Sequence, residues 1–181
     1  MCNKPETTNK MQDFTNETID TTHLPKFEEV QFSTLHPNYW KVILIGLGIS
    51  FLIIGAGIGI ALYFNEKFSS FISELSALFV FVVLIILFLS RISFKKKGFA
   101  FRTHDVLFRY GIIATNTLVI PYNRVQHVAL HEGLLSRFFG LAKIEIFTAG
   151  GSSSDIHIPG LDKEQAENIK QLLMGKIQKQ L

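Results

Sequence analysis

Cysteine is almost absent from this chain of 181 residues: Cys2 stands alone. A single thiol supports neither a disulfide framework nor a cysteine-based metal site. Only Met1 precedes it, so the apolar segment of a lipoprotein signal is missing and Cys2 reads as an ordinary thiol in a tail. Charge is scarce too, 18% of residues, against about a quarter in soluble domains. The shortage is local. Val42–Phe64 and Leu75–Leu89 contain no Asp, Glu, Lys or Arg. Both runs also lack a polar stripe at helical period, which argues against amphipathic core helices of a soluble protein, and the rest of the chain is too short to wrap two such helices. About forty residues precede the first run and no small-residue cleavage pattern follows it, which excludes a cleaved signal peptide. The glycine-rich GAGIGIAL segment follows no strand and lacks the G-x-G-x-x-G spacing of a dinucleotide site. Aromatic and basic residues do not interleave as a nucleic-acid surface requires, so no nucleic-acid partner is expected.

What is present is a pair of membrane-length helices. The first run holds 23 residues, roughly 34 Å of helix, enough to cross a hydrocarbon core of about 30 Å with some tilt. The second reaches full span if Phe71 and Ile72 count on one side and Arg91 snorkels on the other. The expected helices cover about 42–64 and 71–90, within a hairpin segment 36–94, because the connection between them is too short for anything but an antiparallel return. Arg91, Lys95, Lys96 and Lys97 crowd the far end of the second helix, while the connection offers Lys67 alone. The positive-inside rule therefore puts both termini in the cytoplasm and the 65–70 loop outside. Tyr39 and Trp40, beside Lys41, suit an interfacial anchor. Gly55 and Gly59 form a G-x-x-x-G pair with Gly48 a heptad earlier, a face that lets another helix approach closely. The second helix of the same hairpin is the favoured neighbour, and another copy of the chain, giving a homo-oligomer, is the alternative.

Residues 1–35 read as a polar, disordered tail and a lead-in, with Val30, Phe32 and Leu35 leading into the hairpin. From Gly98 the period becomes two. In KIEIF, Ile144 and Ile146 point one way while Lys143 and Glu145 point the other, and in SDIHI, Ile156 and Ile158 alternate with Asp155 and His157. FAFR, DVLFRYG, TLVIP and VQHVALH are further strand-like runs, divided by turn signals at Asn116 and Asn123. GLLSRFFG is a short helical or looped connection. Asp162 with Gln165 resembles a capping box, and Ala166, Ile169, Leu172, Leu173 and Ile177 follow at helical spacing. Several antiparallel strands and then one amphipathic helix are expected over 98–177.

Charge is uneven: residues 91–181 carry 13 Lys and Arg against 7 Asp and Glu, while residues 1–41 carry 4 against 6. Attraction to anionic lipid, worth about 1 kcal/mol per basic residue held near the surface, is one reading of that excess; topology and solubility alone are the other. Arg109, Arg124 and Arg137 suit a lipid phosphate, or else pair with Glu132, Glu145 or Asp155. His127 and His131 share a strand face, as a metal pair would, but Glu132 points elsewhere. Ser152–Ser154, Asp155 and His157 contain the residue types of a catalytic triad without an oriented base or an oxyanion hole. The Gly150–Ser154 loop contains no Lys or Arg for a phosphate and reads as a turn. No catalytic residue, metal site or cofactor is assigned.

The stretch IPYNRVQHVALHEGLLSRFFGLAKIEIFTAGG, followed by IPGLDKEQA, resembles the bacterial pleckstrin-homology-like domain of YdbS-like membrane proteins. The resemblance rests on Pro121, Arg124-Val125-Gln126-His127, Gly133, Leu135, Arg137, Gly140-Leu141-Ala142 and Thr148-Ala149-Gly150-Gly151, and with the hairpin it covers about residues 36–175. It implies a membrane α-helical hairpin plus a small β-rich PH-like domain, an antiparallel partly open barrel with a C-terminal helix, in a bacterial plasma membrane. It implies no reaction. The expected function is a non-enzymatic interaction or scaffold module with the bilayer and another membrane protein bearing similar PH-like domains as partners; an anionic-lipid-responsive sensor is the alternative. In either case Arg91, Lys95, Lys96, Lys97, Arg109, Arg124 and Arg137 are the candidate contacts.

Overall fold

Two uninterrupted helices dominate the architecture because nothing in their sequences offers an alternative: no proline, no charge mid-span and no cap. In this computed structural model, which describes Thr18 and residues 30–64, 71–151 and 155–178, α1 covers Asn38–Tyr63 and α2 covers Ile72–Lys96. With 26 and 25 residues they are roughly 37–39 Å long, and both are long and apolar enough to cross a membrane. No residue of either is buried within the protein. Pro37, with φ −56°, stands at the start of α1, where its fixed φ suits a helix. Lys95 and Lys96 sit in the last turn of α2, where cations complement the negative end of the helix dipole. The connection 65–70 and almost all of the polar tail lie outside the described residues.

The strands follow directly. A first sheet runs in the order β1 (Ser33–Thr34), β2 (Gly98–Phe101), β3 (Asp105–Tyr110) and β4 (Asn116–Pro121); a second contains β5 (Val125–His131), β6 (Leu141–Thr148) and β7 (Ile156–Asp162). All pairings are antiparallel, and the two sheets do not close into one barrel. A short helix α3 (Leu134–Phe138) joins β5 to β6, and α4 (Lys163–Gln178) ends the domain. Alternation in β6 sends Ala142, Ile144, Ile146 and Thr148 inward, and β7 does the same with Ile156 and Ile158. Phe99, Val106, Phe108 and Ile120 of the first sheet, with Ala166 and Leu173 of α4, complete one core. Asp162 Oδ1 accepts the Glu164 N–H at 3.1 Å, one residue earlier than a capping box with Gln165 places it.

The outer ends of the long helices lie beyond the expected 42 and 90, at Asn38 and Lys96, and the lead-in differs from the sequence reading more sharply. Ser33 and Thr34, assigned to the lead-in, pair with Phe99 and Gly98 as strand β1, and Leu35 is only 4% exposed. The physical reason is the edge that β2 would otherwise present: β1 covers it, and Phe32 packs over Gly98, where a Cβ would come within 3.1 Å of its own. The domain therefore begins before the hairpin that interrupts it.

α1 approaches the domain most closely at Gly160. The His36 N–H donates to the Gly160 carbonyl at 2.8 Å, and the Tyr39 ring lies so near Gly160 that any Cβ there would overlap it. Gly160 has φ +65°, so both space and backbone call for glycine.

Candidate functional site

Between the unclosed sheets, beside the ends of both long helices, lies a groove of about 480 Å³. Phe108 and Tyr110 of β3 and Leu118 of β4 line one wall; Lys143 of β6 with Asp155, His157 and Pro159 line the other; Tyr39 and Lys97 come from the helix junctions. The mixture is unusual for a core and useful for recognition: aromatic area with a few polar groups converging on it. A shallower depression of about 410 Å³ along the start of α4 is lined by Asp162, Glu164, Gln165, Asn168, Ile169 and Leu172, with no aromatic or basic group, and offers less to recognise.

Charges within the groove are not equivalent. Lys143 Nζ and Glu145 Oε1 pair at 2.5 Å, and that hydrogen bond, more than any other contact, holds the Glu145 carboxyl below its ordinary range. His157 Nδ1 approaches the same carboxylate at 3.7 Å. Asp155 Oδ1 accepts the Thr148 N–H at 2.9 Å. Lys97 has no acidic partner among the described residues, and burial pushes its ammonium below the usual lysine range. A half-buried cation without a counter-ion is costly. Lys97 is thus the one lining group whose charge the protein itself leaves unanswered among the described residues.

The seven candidate basic residues do not form one patch. Arg91 stacks its guanidinium over Trp40, 4.8 Å from the ring centroid. Lys95 is exposed, Lys96 Nζ donates to the Ile112 carbonyl at 2.5 Å, and Lys97 enters the groove. Arg109 lies over Phe32 at 4.3 Å, which ties β3 to the chain just ahead of β1. Arg124 and Arg137 are exposed, away from the groove lining. The carboxylates weighed as partners for these arginines are engaged elsewhere: Glu132 with Lys163 at 2.9 Å, Glu145 with Lys143, and Asp155 with the Thr148 backbone.

His127 and His131 do share a face of β5, but the His127 ring stacks on Phe147 at 4.2 Å and Glu132 is held by Lys163. Ser152–Ser154 lie outside the described residues. In the long helices, Gly55 faces Phe79, whose ring would be 3.6 Å from an added Cβ. A Cβ at Gly48 or Gly59 would meet no atom within 4 Å; Gly59 instead lines an apolar cleft of about 290 Å³ between the helices. Tyr39 packs on the domain core and near Phe94, while Trp40 pairs with Phe94 at 5.8 Å. The groove was missed in sequence because its walls are four strands and two helix ends; the usable signal was Lys97 itself, a lysine placed immediately before a buried strand.

Two long apolar helices joined to a pair of antiparallel sheets with a terminal helix define a membrane protein carrying a PH-like domain. The bacterial PH domain family matches residues 41–177, and the chain belongs to that family. UPF0699 transmembrane protein YdbT of Bacillus subtilis (strain 168) is 32% identical over 85 residues, 45% of this chain and 17% of that protein. UPF0699 transmembrane protein YdbS of the same organism is 26% identical over 88 residues, 49% of this chain and 54% of that protein. The chain thus spans about half the length of one of these relatives and under a fifth of the other. No solved structure matches it.

Proposed function

We propose that this chain is a non-enzymatic, two-pass protein of the bacterial plasma membrane with both termini in the cytoplasm, and that its PH-like domain is an interaction module for another membrane protein with similar domains. The observation that carries this reading is the groove between the unclosed sheets. It sits where both helices meet the domain, so a partner anchored in the same bilayer is presented to it without a search through solution. Its aromatic wall supplies contact area, and its mixed charge, Lys97 against Asp155, suits a polypeptide segment carrying both signs better than a simple anion. Two relatives within one bacterium, one of them much the longer, support a partner of like kind. Lys97, without an acidic partner among the described residues, favours a second reading in which the groove takes a phospholipid phosphate.

A photoreactive phenylalanine analogue at Tyr110 tests both. Irradiation of intact membranes should link the full chain to a membrane protein with a PH-like domain, and Lys97→Glu should weaken that adduct several-fold. Adducts with phospholipid alone would favour the lipid reading. Absence of a protein adduct overturns the interaction module.

A further inference from the structure

Within residues 97–178, three large apolar side chains stand almost fully in the open: Ile113 at 95% exposure, Phe138 at 88% and Leu134 at 84%. Scattered exposed hydrophobics are ordinary on a protein surface, but these are not scattered. Ile113 occupies the turn between β3 and β4, and that turn is held to the last residue of α2 by the Lys96 Nζ bond to the Ile112 carbonyl. Leu134 and Phe138 are four apart on α3 and so share one face, and α3 packs against α1. One of the three residues therefore stands beside α2, and two stand on the short helix that packs against α1.

Distance along α2 sets the level at which they lie. From Arg91, the first charge after the apolar run, to Lys96 the helix rises roughly 8 Å, close to the thickness of one headgroup layer, about 5–8 Å. A turn fixed at Lys96 is thus at the outer edge of that layer, within a side chain's reach of its interior. Exposed Arg137 on α3 and Lys95 on α2 are placed to meet phosphates while their stems lie along apolar surface.

We infer that the PH-like domain rests directly on the leaflet its helices emerge from, with Ile113, Leu134 and Phe138 inserted into its headgroup layer. The occupant of this apolar rim is the bilayer itself. Continuity with the helix ends argues for it: a protein partner would have to displace lipid that is already there. Such seating orients the domain, fixes which side of the groove faces the membrane, and leaves the C-terminal half of α4, which Lys176 ties to Thr103 at the opposite end of β3 from Ile113, away from the rim. The inference rests on α1 and α2 crossing the membrane, which the test checks separately.

The full chain with Cys2→Ser receives single cysteines at Ile113, Leu134 or Phe138, each labelled with an environment-sensitive fluorophore and reconstituted in nanodiscs containing phospholipid spin-labelled on the acyl chain. Leu52→Cys on α1 and Gln171→Cys on α4 are the references. Expected is strong quenching at Leu52, quenching at all three rim positions at least about twofold above Gln171, and blue-shifted emission, as interfacial side chains give. Quenching at Leu52 with rim positions no different from Gln171 overturns the inference and leaves the hairpin standing. No quenching at Leu52 overturns the hairpin reading, and the rim with it.

Discussion

Lys97 is the residue at which fold and function conflict. It follows the last turn of α2 with an extended ψ of 133°, which turns the chain into β2 and sends the ammonium toward the groove rather than toward solvent. Lys97→Met keeps the length of the side chain and removes the half-buried charge. Stability should rise by about 0.5 kcal/mol at neutral pH, a modest value because water still reaches part of the group. The sign with pH follows from the depressed folded-state pKa. The unfolded chain binds the proton more tightly, so the penalty is present at neutral pH and disappears as pH rises through the folded pKa toward the ordinary lysine value near 10.4. The advantage of Lys97→Met should therefore shrink in unfolding measurements at alkaline pH. A destabilised variant would show that Lys97 is structural. A gain in stability together with a loss of partner adduct places the charge in recognition.

At the level of elements, β1 and Gly160 make the domain discontinuous in sequence. β1 covers the edge of β2, Leu35 fills the core, and Tyr39 lies on Gly160, yet the first two precede, and Tyr39 opens, a hairpin of nearly sixty residues, a gap that loop-closure entropy tolerates better than intuition suggests. Residues 98–181 alone lack Leu35, and burial of a leucine is worth about 2–3 kcal/mol, before the open edge of β2 is counted. That fragment should unfold at lower temperature and aggregate more readily than one in which residues 31–36 are joined to Gly98 by a short flexible linker. Equal melting of the two in circular dichroism would remove β1 from the domain. Strands β2–β7 were legible because their alternation is local. β1 was not: two polar residues carry no period, and only the partner strand makes them a strand.

For the molecule as a whole, the question is how the hairpin is oriented. The last turn of α2 carries Lys95 and Lys96, and basic residues flanking a spanning helix are retained on the cytoplasmic side. Cysteines introduced in a Cys2→Ser background at Ser69 and at Ser153 should react oppositely with an impermeant maleimide on intact cells, Ser69→Cys labelled and Ser153→Cys protected until the membrane is opened. Equal labelling of both would contradict the hairpin, and the reverse pattern would invert it. With the orientation proposed, the groove and the rim of Ile113, Leu134 and Phe138 both face the inner leaflet.

The sequence by itself determined most of the features that depend on near neighbours. Two charge-free runs dictated the long helices, period-two alternation from Gly98 dictated the strands, and the spacing after Asp162 dictated the last helix. Family resemblance was legible in the segment from Pro121 to Gly151 because its turns, strands and connection follow one another without interruption. Tertiary structure alone decided how the charges divide. Seven basic residues that read as one candidate surface separate into a stacked Arg91, a turn-binding Lys96, an Arg109 lying on Phe32, a half-buried Lys97 in the groove and exposed residues elsewhere. Tertiary structure also decided the groove and the apolar rim, because each joins residues far apart in the chain. Alternation says which face a side chain takes; only the packing of one element on another says what that face meets.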